Sequence, residues 1–220
     1  MIDLQNKTPK ILVVGDLMID HYLWGSCERI SPEAPVQVVN VDSESTVLGG
    51  AGNVINNLNA LGAVVDVISV IGECKVSEEL KGLLTDIKVD TQYLITQKDR
   101  VTSKKSRIIA AHQQVVRYDR ECTEEINNNS QMAILKFFKA IVNNYDVILL
   151  SDYGKGVLTF ELTQSLITIA NENEKKLLVD PKGLNYSKYN GAYLLTPNKK
   201  EASEATNSVI KDNKSLTKAI

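Results

Sequence analysis

The chain has 220 residues, 43% hydrophobic and 24% charged, and its 25 Lys and Arg against 27 Asp and Glu leave a formal net charge of −2. That length can bury a core and fits one domain, while the near-neutral balance offers no basic field to nucleic acid or to an anionic membrane surface. Cys27, Cys74 and Cys122 are an odd count without a C-x-x-C pair, and no apolar run nears the ~20 residues of a membrane span, so a cytoplasmic protein is expected.

The polar stretch Met1–Lys10 leads into Ile11-Leu12-Val13-Val14, an aliphatic run closed by Gly15-Asp16. Apolar on both faces, it suits a central parallel strand. Asp16 then falls at the carboxyl end of the strand, where open α/β sheets bind ligands, although a turn or a helix cap would use the same residue. Residues 20–48 carry Trp24, Gly25, Pro32, Pro35 and the alternating run 36–41, which predicts extended segments apart from the layered core.

Gly49-Gly50-Ala51-Gly52-Asn53 comes next and opens a helix with apolar residues at 54, 55, 58 and 61, stopped by Gly62. Glycines let the backbone approach a ligand, and a helix start presents unpaired N–H groups that suit hydroxyl or phosphate oxygens. Asn53 adds an amide that both donates and accepts. Val64–Gly72 is a second strand and completes a βαβ-like unit; residues 77–84 predict a short helix and residues 89–95 a strand. Residues 105–111 and 114–119 predict a hairpin turning at His112-Gln113. Within it, Lys105 and Arg107 share one face of their strand, as do Arg117 and Asp119 of theirs: either a solvated face or an anion site.

From Ser130 the pattern alternates cleanly. A helix with Met132, Leu135, Phe138, Ile141 and Val142 precedes strand 146–150, which ends at Ser151-Asp152-Tyr153-Gly154-Lys155-Gly156. Thr159 caps the next helix, strand 176–179 ends at Asp180-Pro181-Lys182-Gly183, and strand 192–195 ends at Thr196-Pro197-Asn198. Asn198 with Glu201 three residues on, around Lys199 and Lys200, is also a capping box. Four polar strand ends, counting Asp16, predict one site on one rim.

In this order, the Gly-Asp after the first strand, the Gly-Gly-x-x-x-Asn turn, the Asp-Pro-Lys and the Asn-x-x-Glu resemble the landmarks of the ribokinase-like (PfkB-type) carbohydrate kinases. Arg29-Ile30-Ser31-Pro32-Glu33-Ala34-Pro35-Val36, Gln113-Gln114 and Ser151–Gly156 are similar to its heptose 7-phosphate kinase branch. That resemblance implies an α/β fold: a ribokinase-like Rossmann-type α/β/α sandwich over residues 1–220, with a β-sheet lid from 18–45 and 96–119 that supplies a homodimer interface. It implies that ATP with Mg²⁺ phosphorylates D-glycero-D-manno-heptose 7-phosphate at O1, toward ADP-heptose and lipopolysaccharide.

By the same resemblance Asp16, Gly49, Gly50, Asn53, Asp152 and Lys182 line the sugar site, and Lys105, Arg107 or Arg117 meets its phosphate. Asn198, Lys199, Lys200 and Glu201 lie by the nucleotide, with Glu201 reaching the metal through water. The family's base, an Asp in a Gly-Ala-Gly-Asp turn, has no match up to Ile220. The expectation is therefore the N-terminal part of a kinase, inactive alone. A different sugar kinase of the family, or a non-catalytic sugar-phosphate-binding or dimerisation module, is the alternative. A dinucleotide oxidoreductase is not expected, because Gly15-Asp16-Leu17-Met18 lacks the Gly-x-Gly-x-x-Gly that should follow the first strand.

Overall fold

Residues 8–219 are described in the computed structural model; the first seven residues of the polar stretch Met1–Lys10, and Ile220, lie outside them. The first half of the chain runs β1 (Lys10–Gly15), β2 (Leu17–Ile30), β3 (Gln37–Gly50), α1 (Ala51–Ala60), β4 (Val64–Gly72) and α2 (Lys75–Asp86). It continues with β5 (Leu94–Gln97), β6 (Ser103–Ala110), β7 (Gln113–Arg120) and α3 (Asn128–Ile141). The rest is β8 (Val147–Ser151), α4 (Phe160–Glu172), β9 (Lys176–Asp180), β10 (Leu194–Leu195), α5 (Lys199–Ala205) and α6 (Asn213–Ala219).

The aliphatic strands build a parallel sheet in the order β10-β9-β8-β1-β4-β5. Alternate side chains leave it on opposite sides. Leu12, Val14, Ile148 and Leu150 pack against Ile134 and Phe138 of α3 and Leu162 and Leu166 of α4. Val13, Val65 and Val67 meet Ala51 and Ile55 of α1 and Leu80 and Leu84 of α2 on the other side. The result is an α/β/α sandwich. On that second side the cover thins along one row of register partners. Val67 and Val13 are fully buried, Leu149 and Leu178 are half-buried, and Leu194 is exposed.

A second sheet, ordered β3-β2-β6-β7, grows from the same rim: β2 starts two residues after β1 ends, and β3 runs directly into α1. Its β2–β6 pair is parallel and its outer pairs are antiparallel. One face carries Ile19 into the α1 and α2 core and ties Lys104 to Glu79 of α2 at 3.1 Å. The opposite face carries Asp20, Tyr22, Lys105, Arg107, Arg117 and Asp119, which are register partners in two adjacent rows or sit two residues apart along a strand.

Three boundaries differ from the sequence-based expectation. The strand expected over 89–95 lies at Leu94–Gln97, because the Asp90 carboxylate binds Gln92 N at 2.9 Å and Gln92 Nε2 at 2.8 Å and holds a turn. Residues 96 and 97 thereby belong to the main sheet, and the second sheet's β6 begins at Ser103. The hairpin turns at Ala111-His112, whose φ values of 48° and 64° give the paired left-handed geometry that suits a two-residue loop without any glycine. The strand expected over 192–195 keeps only Leu194–Leu195, since Gly191 and Ala192 still belong to the preceding turn.

The helix α3 separates core from surface by position. Phe138 is fully buried whereas Met132 is 61% exposed. Phe138→Ala should cost about 3–5 kcal/mol in a urea titration, and Met132→Ala should stay within about 0.5 kcal/mol.

Candidate active site

Asp16 is the knot of the rim. It is 1% exposed, and its carboxylate accepts three main-chain N–H groups from the loop after β8: Tyr153 at 2.8 Å and Lys155 at 3.1 Å on Oδ2, Val157 at 3.1 Å on Oδ1. Its own N–H donates to Ser151 O at 3.1 Å, and its carbonyl accepts from Ala51 N at 3.0 Å, the first residue of α1. One residue therefore joins the ends of β1 and β8 to the Gly49-Gly50 turn. Gly50 has φ 55°, and a Cβ there would stand 2.6 Å from Asp16 O. A Cβ on Gly49 would stand 2.5 Å from an oxygen of Asp20. At Gly50 both the backbone angle and the main chain of Asp16 exclude a side chain, whereas at Gly49 the obstacle is the Asp20 carboxylate. Asn53 sits exposed in the first turn of α1, whose N-cap Gly50 supplies no side-chain hydrogen bond.

Above this rim stands the polar face of the second sheet. Arg107 bonds Asp20 at 2.6 Å and lies 5.2 Å over the Tyr22 ring. Arg117 grips Asp119 through two nitrogens at 2.9 and 2.7 Å, which with Lys105 draws the Asp119 carboxyl down to about 2. Lys105 reaches Asp119 at 3.2 Å and Glu121 at 3.0 Å. Glu121 in turn takes Lys155 of the rim loop at 2.8 Å, tying the two sheets together. Each of the three candidate phosphate-binding cations is thus paired to a carboxylate inside the protein.

Asp152 sits beside Asp16 and is 3% exposed. It accepts Lys188 Nζ at 2.6 Å, the Tyr189 hydroxyl at 2.8 Å and Gly154 N at 2.8 Å, so its oxygens are filled from within. Its N–H donates to Asp180 O, which puts the ends of β8 and β9 side by side. Burial, with Glu201 nearby, holds the Asp180 carboxyl above its ordinary value. Asn198 and Glu201 make the full capping box of α5, and the second Glu201 oxygen faces Lys182 at 3.3 Å. Both oxygens being engaged, Glu201 suits contact with a metal through water better than direct ligation. Among the described residues no group of three or more His, Cys, Asp or Glu is arranged to hold a metal ion. Lys199 and Lys200 are exposed on the first turn of α5.

Sequence reasoning missed Asp20, Glu121, Lys188 and Tyr189. Asp20 carried a signal, an acid two residues before Tyr22 on one face of an otherwise apolar strand start. The other three act across long sequence separations and had none.

A glycine turn opening a helix and a rim of polar strand ends, with a small charged sheet growing from that rim, define an α/β protein of two sheets. The chain belongs to the pfkB family of carbohydrate kinases, whose profile matches residues 8–220. It is 64% identical over 215 residues to the bifunctional protein HldE of Aliarcobacter butzleri and 58% identical over 217 residues to that of Sulfurimonas denitrificans. These matches cover 98% and 99% of this chain but 45% and 46% of the relatives, so the chain spans about half their length. The fold is that of Arabidopsis thaliana ribokinase complexed with ribose and ATP, with a TM-score of 0.68 at 14% identity, over 97% of this chain and 67% of that one. Phosphofructokinase-2 of Escherichia coli matches with a TM-score of 0.71 at 19% identity, over 96% of this chain and 68% of that one.

Burial first, then the Asp152 charge, raises the Asp16 carboxyl above its ordinary 3.8, against the pull of its three N–H donors. A raised folded value means that this residue's stabilising contribution is complete below 3.8 and is lost as pH rises through the folded value. Asp16→Asn cannot ionise, but its amide nitrogen faces an N–H donor and leaves it unpaired, costing about 1–3 kcal/mol. The stability gap between wild type and Asp16→Asn should be widest near about pH 4 and narrow toward about pH 7. Urea midpoints across that range test this, and a gap that widens with pH contradicts it.

Proposed function

We propose that this chain is the sugar-binding part of a kinase that phosphorylates D-glycero-D-manno-heptose 7-phosphate at O1, using ATP and Mg²⁺, in the formation of ADP-heptose for lipopolysaccharide. The observation that carries the reading is the pairing of a sugar-kinase rim with a roof of three cations, Lys105, Arg107 and Arg117. A roof of that charge suits an acceptor that already bears a phosphate. The likeness to the HldE proteins supports the choice among sugar kinases.

In this reading the sugar lies between rim and roof. Asp20 and the Asn53 amide take its hydroxyls, and Gly49-Gly50 lets the main chain close on it. Asp16 acts one step back, holding the 153–157 loop and the glycine turn in register. Asn198, Lys199, Lys200, Lys182 and Glu201 flank the nucleotide, and the bound Mg²⁺ would neutralise charge on its phosphates. Phosphoryl transfer depends mainly on such positioning and charge stabilisation. In this reading the base that receives the O1 proton is neither Asp16 nor Asp152, since both are almost fully buried and bonded within the protein. A second copy meeting the roof sheet completes the proposal, supported by exposed Trp24, Val115, Val116 and Tyr118 on that sheet.

ADP release by the full-length protein should require the heptose phosphate. Asp20→Ala should raise KM for the sugar at least ~10-fold and leave KM for ATP nearly unchanged, since a hydrogen bond to a charged group is worth about 1.5–3 kcal/mol. Sugar-independent ADP release, or a shift confined to ATP, overturns this reading.

Asp180 is the rim carboxylate whose side chain makes no hydrogen bond among the described residues. Asp180→Asn should keep kcat within about threefold, whereas a general base would cost ~10²–10⁴. A loss of that size would make Asp180 the base.

A further inference from the structure

We infer that Lys105 and Lys155 together form the subsite for the phosphate already on the acceptor, and that Glu121 occupies it as an internal carboxylate until the substrate displaces it. The inference rests on the sugar-phosphate kinase reading and deepens it.

Lys155 was not among the cations expected to meet a phosphate, yet the fold aims it there. Its N–H is fixed on Asp16 at 3.1 Å and its carbonyl accepts from the buried Arg100 guanidinium, so its main chain is held from both sides. Lys105 stands in the middle of β6 with Asp20 and Asp119 as register partners. The two ammonium groups thus belong to two different parts of the fold, rim and roof. Both converge on a single carboxylate, one on each oxygen, at 2.8 and 3.0 Å. Their side chains are only 14% and 15% exposed, whereas the carboxylate they share stands at an exposed position that a ligand can reach.

Glu121 differs from the other acids there in how it is held. Asp20 and Asp119 are strand residues, each paired to a cation within the same sheet. Glu121 follows the end of β7 on the irregular connection that leads to α3, and can leave without breaking a strand. With Glu121 in place, four cations (Lys105, Arg107, Arg117, Lys155) face three acids (Asp20, Asp119, Glu121), a local charge of +1. With Glu121 withdrawn the same count is four against two, or +2. A phosphate monoester carries about −1.5 to −2 at neutral pH and offers three acceptor oxygens. It therefore matches the vacated charge, and two lysines on separate elements give it a clamp.

Two consequences follow for specificity. An unphosphorylated sugar brings nothing that can replace Glu121, and a singly charged anion only equals it. Phosphate binding also transfers the link between roof and rim from the protein's own carboxylate to the substrate.

The test uses the full-length protein and titration calorimetry with inorganic phosphate as probe. Glu121→Gln keeps the shape and removes the competing charge, so it should bind phosphate about 10-fold more tightly than wild type. The gain should vanish in the double variant with Lys155→Met. In turnover, Lys155→Met and Lys105→Met should each raise KM for the phosphorylated heptose at least ~10-fold, with KM for ATP unmoved. Because Lys155 also anchors its loop through its main chain, the Lys105 variant reads the same subsite from the roof side. Equal phosphate affinity in wild type and Glu121→Gln, with turnover intact, overturns this inference alone. A wild-type protein that turns over no sugar phosphate overturns the kinase reading beneath it.

Discussion

A carboxyl group buried at a strand end is costly to ionise and costly to leave unpaired, and Asp16 offsets part of that cost with donors from the main chain of a loop more than 130 residues away in sequence. Most of the site's geometry follows from that need. To present three N–H groups to one carboxylate the loop 153–157 has to curl, and Gly154 and Gly156 supply the left-handed turns, with φ of 66° and 82°. Gly156 also passes so close to Glu124 that a Cβ would overlap its carbonyl. Curling the loop carries Lys155 toward the roof and seats Asp152 where Lys188 and Tyr189 can fill it. Through its own carbonyl Asp16 also sets the first residue of α1, and so the direction of the glycine turn.

The second constraint is electrostatic. Asp16, Asp152 and Asp180 crowd one rim, where burial first and then a neighbouring carboxylate charge raise the cost of ionising Asp16 and Asp180. Internal cations offset it: Lys188 binds Asp152, Lys182 faces Glu201, and Arg100 lies near Asp16 with its own charge penalised by burial. On the roof Lys105, Arg107 and Arg117 are matched by Asp20, Asp119 and Glu121, and the rim's Lys155 adds one further cation at the junction.

How much of this the sequence disclosed depends on the range of the interaction. Strands such as 11–14 and 176–179 were legible because burial on both faces writes itself as a continuous aliphatic run, and α4 because Thr159 caps it locally. The strand expected over 89–95 failed for an equally local reason, the Asp90 turn, which hydrophobic pattern alone does not record. The convergence of polar strand ends on one rim was legible from topology. The work done by Asp16 was not, since its partners are backbone groups and leave no mark on residue type. The same holds for the roof: charge alternation announced Lys105, Arg107 and Arg117, but the acids that hold them lie on other strands or on the connection after β7.

Capping and ligand binding need not compete at Asn198 and Glu201. The capping box satisfies two main-chain donors and fixes both side chains, and the outward Glu201 oxygen then holds Lys182 beside the end of β9. Rigid placement of this kind is what a site for phosphates requires, because ordering long side chains after the ligand arrives would cost ~0.5–1.5 kcal/mol for each one. The same reasoning applies across the cleft. Nearly every charge there is already held by a protein partner, so in the proposed reading a ligand would enter by exchanging one anion or cation for another, without having to order loose groups. Such exchange returns little energy for any single contact and rewards a ligand that matches several at once. It therefore favours selectivity over raw affinity.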